Sequence, residues 1–370
     1  MLDTVTRNGL LFARYAIGRF FRSDLLLLTI VATLTTIGFI ALYSAGYSFP
    51  WRVDNQIRNI MVAAVGMSVV AIIPIKYIKR IATPLFIIGC VLLVLTLVAG
   101  VTVKGATRWV NIGIRIQPSE LMKLAVPMML ALYYHTRKDD IGNQHHMIAG
   151  LMLLFPVALI LKQPDLGTSI LVGLAGFAVI FFAGLSRKFI ISLGASVLAM
   201  MPFIWNFLHD YQKERIMTLL DPTTDPLGKG FHTLQSLIAI GSGGLTGKGW
   251  MEGTQAHLDF IPERTSDFLF AVYGEEFGFV GSLILLFLYT LLIARSFYIA
   301  AYAEDRFSRL LASAIGTIFF SYTFVNIGMV SGILPVVGVP LPFMSYGGTA
   351  LLTLGVCTGL LLSISADSRR

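Results

Sequence analysis

Apolar positions along this chain fall into blocks too long for the interior of a soluble domain, with polar residues gathered between them. Ten blocks can be drawn: Asp24 to Gly46, Arg58 to Pro74, Ile81 to Gly100, Pro118 to His135, Met147 to Leu161, Thr168 to Leu185, Phe189 to Leu208, Phe268 to Ala294, Leu310 to Gly332 and Tyr346 to Ser365. A hydrocarbon layer of roughly 30 Å takes about 20 helical residues to cross, so the pattern predicts about ten transmembrane helices. The second, fourth and fifth blocks are short. The first has full spanning length and no small-residue cleavage site interrupts it, so no cleavable signal is expected. No internal repeat is evident, which weighs against an inverted-repeat transporter.

An even number of spans puts both termini on one side, and the basic residues choose that side. Sixteen Lys and Arg flank the spans on the face of the termini, against six in the short loops of the other face. The positive-inside rule then makes both termini cytoplasmic. The stretch Arg7 to Arg22 mixes four arginines with Leu10, Leu11, Tyr15, Phe20 and Phe21. It resembles a helix lying on an anionic inner leaflet. Cytoplasmic connections are brief and basic, whereas the outward loops hold most of the Gly, Pro, Trp and acidic residues. One outward loop, residues 209–267, is too long to be structureless without a function. Within it, Phe231, Leu234, Leu237 and Ile238 predict a short interfacial helix. The expected fold is therefore an all-α integral membrane protein: one domain over 1–370, a bundle of about ten transmembrane helices, and one long extracytoplasmic loop.

Composition sharpens this picture by exclusion. Apolar residues make up 56% of the chain and charged residues 13%, and mean hydropathy is +0.77. The 28 basic and 20 acidic side chains cannot furnish the charged surface of a soluble domain of 370 residues. A net charge of +8 suggests nucleic acid, but its distribution follows membrane topology, so no nucleic-acid partner is expected. The two cysteines, Cys90 and Cys357, lie inside apolar runs and read as small core residues.

Candidate chemistry then comes from ionisable groups at costly depths. Glu120 and Lys123, three residues apart, share one helix face. They form either a self-neutralising pair at a helix interface or the lining of an outer cavity where Lys123 meets a phosphate. Glu275 and Glu276 project about 100° apart, so they cannot both face one partner. Asp165, in Gln163-Pro164-Asp165-Leu166-Gly167-Thr168, either caps the sixth span or meets substrate or a divalent metal. Arg108, in Lys104-Gly105-Ala106-Thr107-Arg108-Trp109, suits bidentate grip of phosphate oxygens.

The glycine-rich segment from Gly241 to Trp250 superficially suggests a phosphate loop. It fails the nucleotide pattern, because Ser242 occupies the first glycine position and Gly249 the required Ser/Thr. A flexible or tightly turned gating segment is expected instead, with Lys248 as a second cation. The densest cluster is Ile261 to Phe268, containing Glu263, Arg264 and Asp267. Asp267 is the last polar residue before an apolar run. It either caps that helix or, partly desolvated, acts as a general base. No His/Cys cluster has metal-ligand spacing, and no serine or cysteine nucleophile stands with a base.

Taken in order, these motifs resemble the shape, elongation, division and sporulation family over nearly the whole chain. The matching pieces are KGATRW at Lys104, QPSELMK at Gln117, QPDLGTS at Gln163 and DPLGKGFH at Asp225. Further matches are GSGGLTGKGW at Gly241, PERTSDFLFAVYGEE at Pro262 and NIGMVSGILPVVGVPLPFMSYGG at Asn326. Pro262-Glu263-Arg264 and Val336-Val337-Gly338-Val339-Pro340 favour the elongation branch over the division branch. The resemblance implies a peptidoglycan glycosyltransferase of the bacterial cytoplasmic (inner) membrane. Such an enzyme polymerises lipid II into β-1,4 glycan on an undecaprenyl diphosphate carrier, in complex with a class B penicillin-binding protein that crosslinks strands. It carries the catalytic aspartate onto Asp267. Members often have His-Thr before that Asp; here Thr265 and Ser266 stand there, so no histidine base is available at that point.

On this reading Asp267 takes the acceptor proton, and Arg108, Lys123 and Lys248 are the candidate cations for the leaving diphosphate. Glu120, Asp165, Glu263, Arg264 and Glu275 complete the expected substrate-binding set. The sequence establishes no cofactor; were a divalent cation (Mg or Mn) used, Asp165 and Glu120 would be its acid ligands. The competing classes are a lipid II flippase, which needs a polar path across the whole bilayer, a secondary transporter, and a purely structural partner, which would not need Asp267.

Overall fold

In the computed structural model the described residues are 18–19, 24–103, 106–111, 115–137, 142–207, 210–221, 229–258, 260–261 and 263–368. Within them the chain is an all-α membrane protein with one small sheet. The long helices are α1 (Leu25–Ala45), α2 (Pro50–Ile72), α3 (Ile75–Ala99), α4 (Pro118–Thr136), α5 (Asn143–Lys162), α6 (Leu166–Phe182) and α7 (Arg187–Phe207). After the shorter α8 (Asp210–Leu220), α9 (Lys229–Ser242) and α10 (Thr254–His257) come α11 (Leu269–Ala301), α12 (Arg306–Val330) and α13 (Gly348–Ser368). Between α3 and α4, β1 (Val101–Val103), β2 (Ala106–Asn111) and β3 (Arg115–Ile116) form an antiparallel sheet in the order β1-β2-β3.

Each of the ten sequence blocks corresponds to one helix. Seven, α1, α2, α3, α5, α11, α12 and α13, are long and apolar enough to cross a membrane. The helix α4 carries Glu120 and Lys123, and the apolar parts of α6 and α7 are shorter. The short helix expected in the long loop is α9. Most of the basic N-terminal stretch from Arg7 to Arg22, and the segment 222–228 that opens DPLGKGFH, lie outside the described residues.

The centre of the bundle is α12 and α13, whose apolar windows are 78% buried; that of α2 is only 11% buried. α2 runs along α13, α11 along α12, and α3 along α4. An added Cβ at Gly355 of α13 would come 2.8 Å from the Ala63 carbonyl of α2, so these backbones touch where the side chain is absent. Outer helices instead show Val65, Val69, Ile87, Ile88 and Val91 to their surroundings. Such continuous apolar surface is costly in water and costless against lipid tails. Cys357 is buried in α13, Cys90 is half-buried in α3, and both are free thiols.

Three basic residues that the charge count placed on the face of the termini each pair with an aspartate. Arg295 near the end of α11 pairs with Asp24, the N-cap of α1, at 2.6 Å. Lys79 pairs with Asp305, the N-cap of α12, at 2.6 Å. The buried Arg19 holds Asp367 at 2.7 Å and also bonds to Ser363 and the Ala71 carbonyl. Arg19 is thus a clamp between the N-terminal segment and α13, not a residue spread on a lipid surface.

Candidate active site

The site collects at the opposite end, around the turn of residues 263–268 that leads into α11. Phe268 holds the N-cap position of α11, without a side-chain cap bond, so Asp267 is not its N-cap. The Asp267 side chain is partly buried. Its turn is tied to four places. Arg264 reaches back to the α1–α2 connection, donating from Nε to the Ala45 carbonyl at 2.8 Å and from Nη2 to Ser48 Oγ at 3.1 Å, with its guanidinium over the Phe49 ring. Arg52, in the first turn of α2, donates to Thr265 Oγ1. Tyr346 N donates to the Thr265 carbonyl at 2.9 Å. Asn326 of α12 donates from Nδ2 to the Asp267 carbonyl at 2.8 Å. Glu263 is exposed, with φ +52°, and its backbone and carboxylate receive Ser266 Oγ.

Behind this turn the glycine segment packs onto α11. Gly278 has φ +65° and ψ −162°, which breaks the helix. The segment fills the break with backbone bonds: Phe279 N to Gly244 O at 2.9 Å, Val280 N to Leu245 O at 3.0 Å, Lys248 N to Glu275 O at 3.0 Å and Gly249 N to Glu276 O at 3.1 Å. An added Cβ at Gly247 would overlap the Glu276 carbonyl, so backbone meets backbone directly. The two glutamates part as their geometry requires. Glu275, fully buried, takes Lys248 Nζ at 2.6 Å together with Thr254 Oγ1 and Gln255 N. Glu276 accepts from Ser44 of α1. Trp250 stacks on Tyr43 and donates to the Ile40 carbonyl. The C-terminal end of α1 therefore receives the glycine segment, α11 and the Asp267 turn together.

The sheet delivers a second group. Arg108 on β2 donates from Nη2 to the Pro164 carbonyl, and its Nε lies 3.8 Å from Asp165 Oδ2. Asp165 also takes Gln117 Nε2 at 3.3 Å and caps α6 through Thr168 N at 3.3 Å. Of the two sequence alternatives for this side chain the helix cap is observed, and Arg108 lies beside it. Lys123 lies deeper, 3% exposed, bonded to Glu120 Oε1 and Tyr322 Oη at 2.5 Å each. The other Glu120 oxygen takes Thr353 Oγ1 at 3.2 Å. That is the self-neutralising arrangement.

Arg108 and Lys248 keep 33% and 27% of their side chains exposed, whereas Lys123 keeps 4%. Of the three cations expected from the sequence, Arg108 and Lys248 are thus partly open and Lys123 is enclosed. As placed, Asp165 lies 3.8 Å from Arg108 and takes Gln117 and Thr168 N, while Glu120 is bonded to Lys123 and Thr353. Among the described residues no group of three His, Cys, Asp or Glu could hold a metal ion. Sequence reading missed Arg52 and Asn326. Arg52 was counted only for topology, and Asn326 only as the start of a motif. Their contacts join residues more than 50 positions apart, which no local spacing reveals.

A multi-pass helical membrane protein with a partly buried carboxylate on the turn before α11 and cations on neighbouring segments defines the class. The chain belongs to the FtsW/RodA/SpoVE family: the family model, described as cell cycle protein, matches residues 24–370. It is 48% identical over 343 residues to the peptidoglycan glycosyltransferase MrdB of Escherichia coli K12, covering 92% of this chain and 93% of that one. It is 36% identical over 360 residues to the probable peptidoglycan glycosyltransferase FtsW of Trichlorobacter lovleyi, covering 93% of each. Among solved structures, one of a peptidoglycan synthase complex that coordinates polymerization and crosslinking superposes with a TM-score of 0.82 at 31% identity, over 94% of this chain and 99% of that one. The rod shape determining protein RodA of Thermus thermophilus superposes with a TM-score of 0.71 at 29% identity, over 94% and 98%.

Proposed function

We propose that this chain is an inverting peptidoglycan glycosyltransferase that polymerises lipid II into β-1,4 glycan strands during cell elongation, with Asp267 as general base. The observation that carries the reading is the Asp267 turn, a partly buried carboxylate held from α1, α2, α12 and the loop before α13. The names of the relatives support the reaction class.

The donor sugar leaves an α-linked undecaprenyl diphosphate and the product is β-linked, so one displacement with inversion suffices. Asp267 accepts the proton of the acceptor GlcNAc 4-hydroxyl as that oxygen bonds to C1 and the bond from C1 to the diphosphate breaks. Fixed cations at the other face stabilise the charge that grows on the leaving diphosphate. Arg108 and Lys248 serve there, and Arg52 adds positive charge one hydrogen bond from the Asp267 turn.

The ten long helices span the bacterial cytoplasmic membrane with both termini inside, a reading supported by the separate ion-pair sets at the two ends of the bundle. An open apolar groove of about 750 Å³ between α1, α2 and α13, lined by Val31, Phe39, Ile60, Ala64 and Met67 among others, suits a polyprenyl tail. A second groove, about 250 Å³, lies between α11 and α12 along Leu286, Thr290, Phe320 and Phe324. It suits the membrane helix of a class B penicillin-binding protein.

Proteoliposomes separate this reading from a flippase. With headgroup-labelled lipid II, the expected result is glycan strands without transfer of unreacted headgroup across the bilayer. Headgroup transfer without strands would contradict it.

A further inference from the structure

Asn326 lies in the last turns of α12 and is fully buried. Its side-chain nitrogen makes two short bonds to two different chain segments, to the Asp267 carbonyl at 2.8 Å and to the Val339 carbonyl at 2.7 Å. Both partners are acceptors only, so the amide must present its NH2 to them, and its orientation is fixed by chemistry. The residue before Val339 is Gly338, with φ +76°, where an added Cβ would come 3.3 Å from Asp267 Oδ2. The segment that Asn326 grips through Val339 is therefore the one that lies against the Asp267 carboxylate itself. One carboxamide sets the backbone on both sides of that carboxylate.

We infer that Asn326 is a positioning residue for Asp267, tying the turn that carries the base to the segment beside its carboxylate. The inference rests on the reading of Asp267 as general base. It also explains the residue type. Two donors on one planar nitrogen are needed to join two buried carbonyls; leucine offers none, and aspartate would set a buried carboxylate against two carbonyl oxygens. Loss of the tie would let the base drift from the acceptor hydroxyl while leaving the lipid-facing grooves and outer cations in place. Displacements on the order of 1 Å can cost about 100-fold in rate.

The test is steady-state polymerisation of lipid II by the purified full chain with a class B penicillin-binding protein present. It compares wild type, Asn326→Ala, Asn326→Ser and Asp267→Asn, with thermal melting and partner capture measured on the same preparations. For Asn326→Ala the expected result is a fall in kcat of about 10- to 100-fold, with KM for lipid II within about twofold and partner capture unchanged. Asn326→Ser, which keeps a hydroxyl donor, is expected to lose less. Wild-type kcat in Asn326→Ala beside an inactive Asp267→Asn would overturn the positioning role alone. So would losses in both Asn326 variants that merely track loss of folded protein. Strands from Asp267→Asn would overturn both this inference and the reading beneath it.

Discussion

Lys123 and Glu120 show how a charge survives inside the bundle. Each is met inside the bundle, Lys123 by Glu120 and Tyr322, Glu120 by Lys123 and Thr353. Removing one partner strands the other, at a cost of about 3–5 kcal/mol. Lys123→Met is expected to lower the melting temperature in detergent sharply, and Lys123→Met combined with Glu120→Gln to recover much of the loss. Equal losses in both would point to substrate rather than to mutual neutralisation. Arg264 is a parallel case on the loop. Its guanidinium is committed to Ala45, Ser48 and Phe49, so Arg264→Ala is expected to cost about 1–3 kcal/mol of stability with little change in KM for lipid II. A raised KM at unchanged melting temperature would return Arg264 to the substrate-binding set expected from its motif.

Among the elements, α11 depends most on a partner distant in sequence. Its break at Gly278 is bridged by the segment from Gly244 to Gly249, and Lys248 and Glu275 lock the two together. Gly278→Ala would need a positive φ and would drive a methyl into the Gly247 backbone. A stability loss of about 1–3 kcal/mol is expected, read as a lower melting temperature with faster proteolysis between residues 244 and 258. A variant as stable as wild type would mean that the break is incidental. The sequence made part of this legible. The glycine run announced a tight turn, and the spacing of Phe231, Leu234, Leu237 and Ile238 announced α9. The break was hidden because apolar periodicity continues through Gly278, and backbone bonds between two segments leave no side-chain pattern. For the same reason the choice between Glu275 and Glu276 awaited the fold, which turns the first to the long loop and the second to Ser44 of α1.

Across the whole molecule, the ten helices were legible as apolar blocks, and the seven long and apolar enough to cross a membrane carry a length that lipid imposes and that is written locally. The meeting of Arg52, Asn326 and Tyr346 around Asp267 was not, because it depends on how α2, α12 and the loop before α13 pack. The groove between α11 and α12 gives the packed bundle a surface of its own. Thr290→Trp, on an exposed position of that groove, is expected to weaken capture of the penicillin-binding protein about tenfold or more without moving the melting temperature. Undiminished capture would place the partner elsewhere. The central claim concerns one carboxylate, and one measurement reaches it most directly: polymerisation of purified lipid II by wild type and Asp267→Asn, each with the partner present. Glycan strands from wild type and none from an equally stable, partner-binding Asp267→Asn are the expected result; strands of equal length and yield from both would contradict the account.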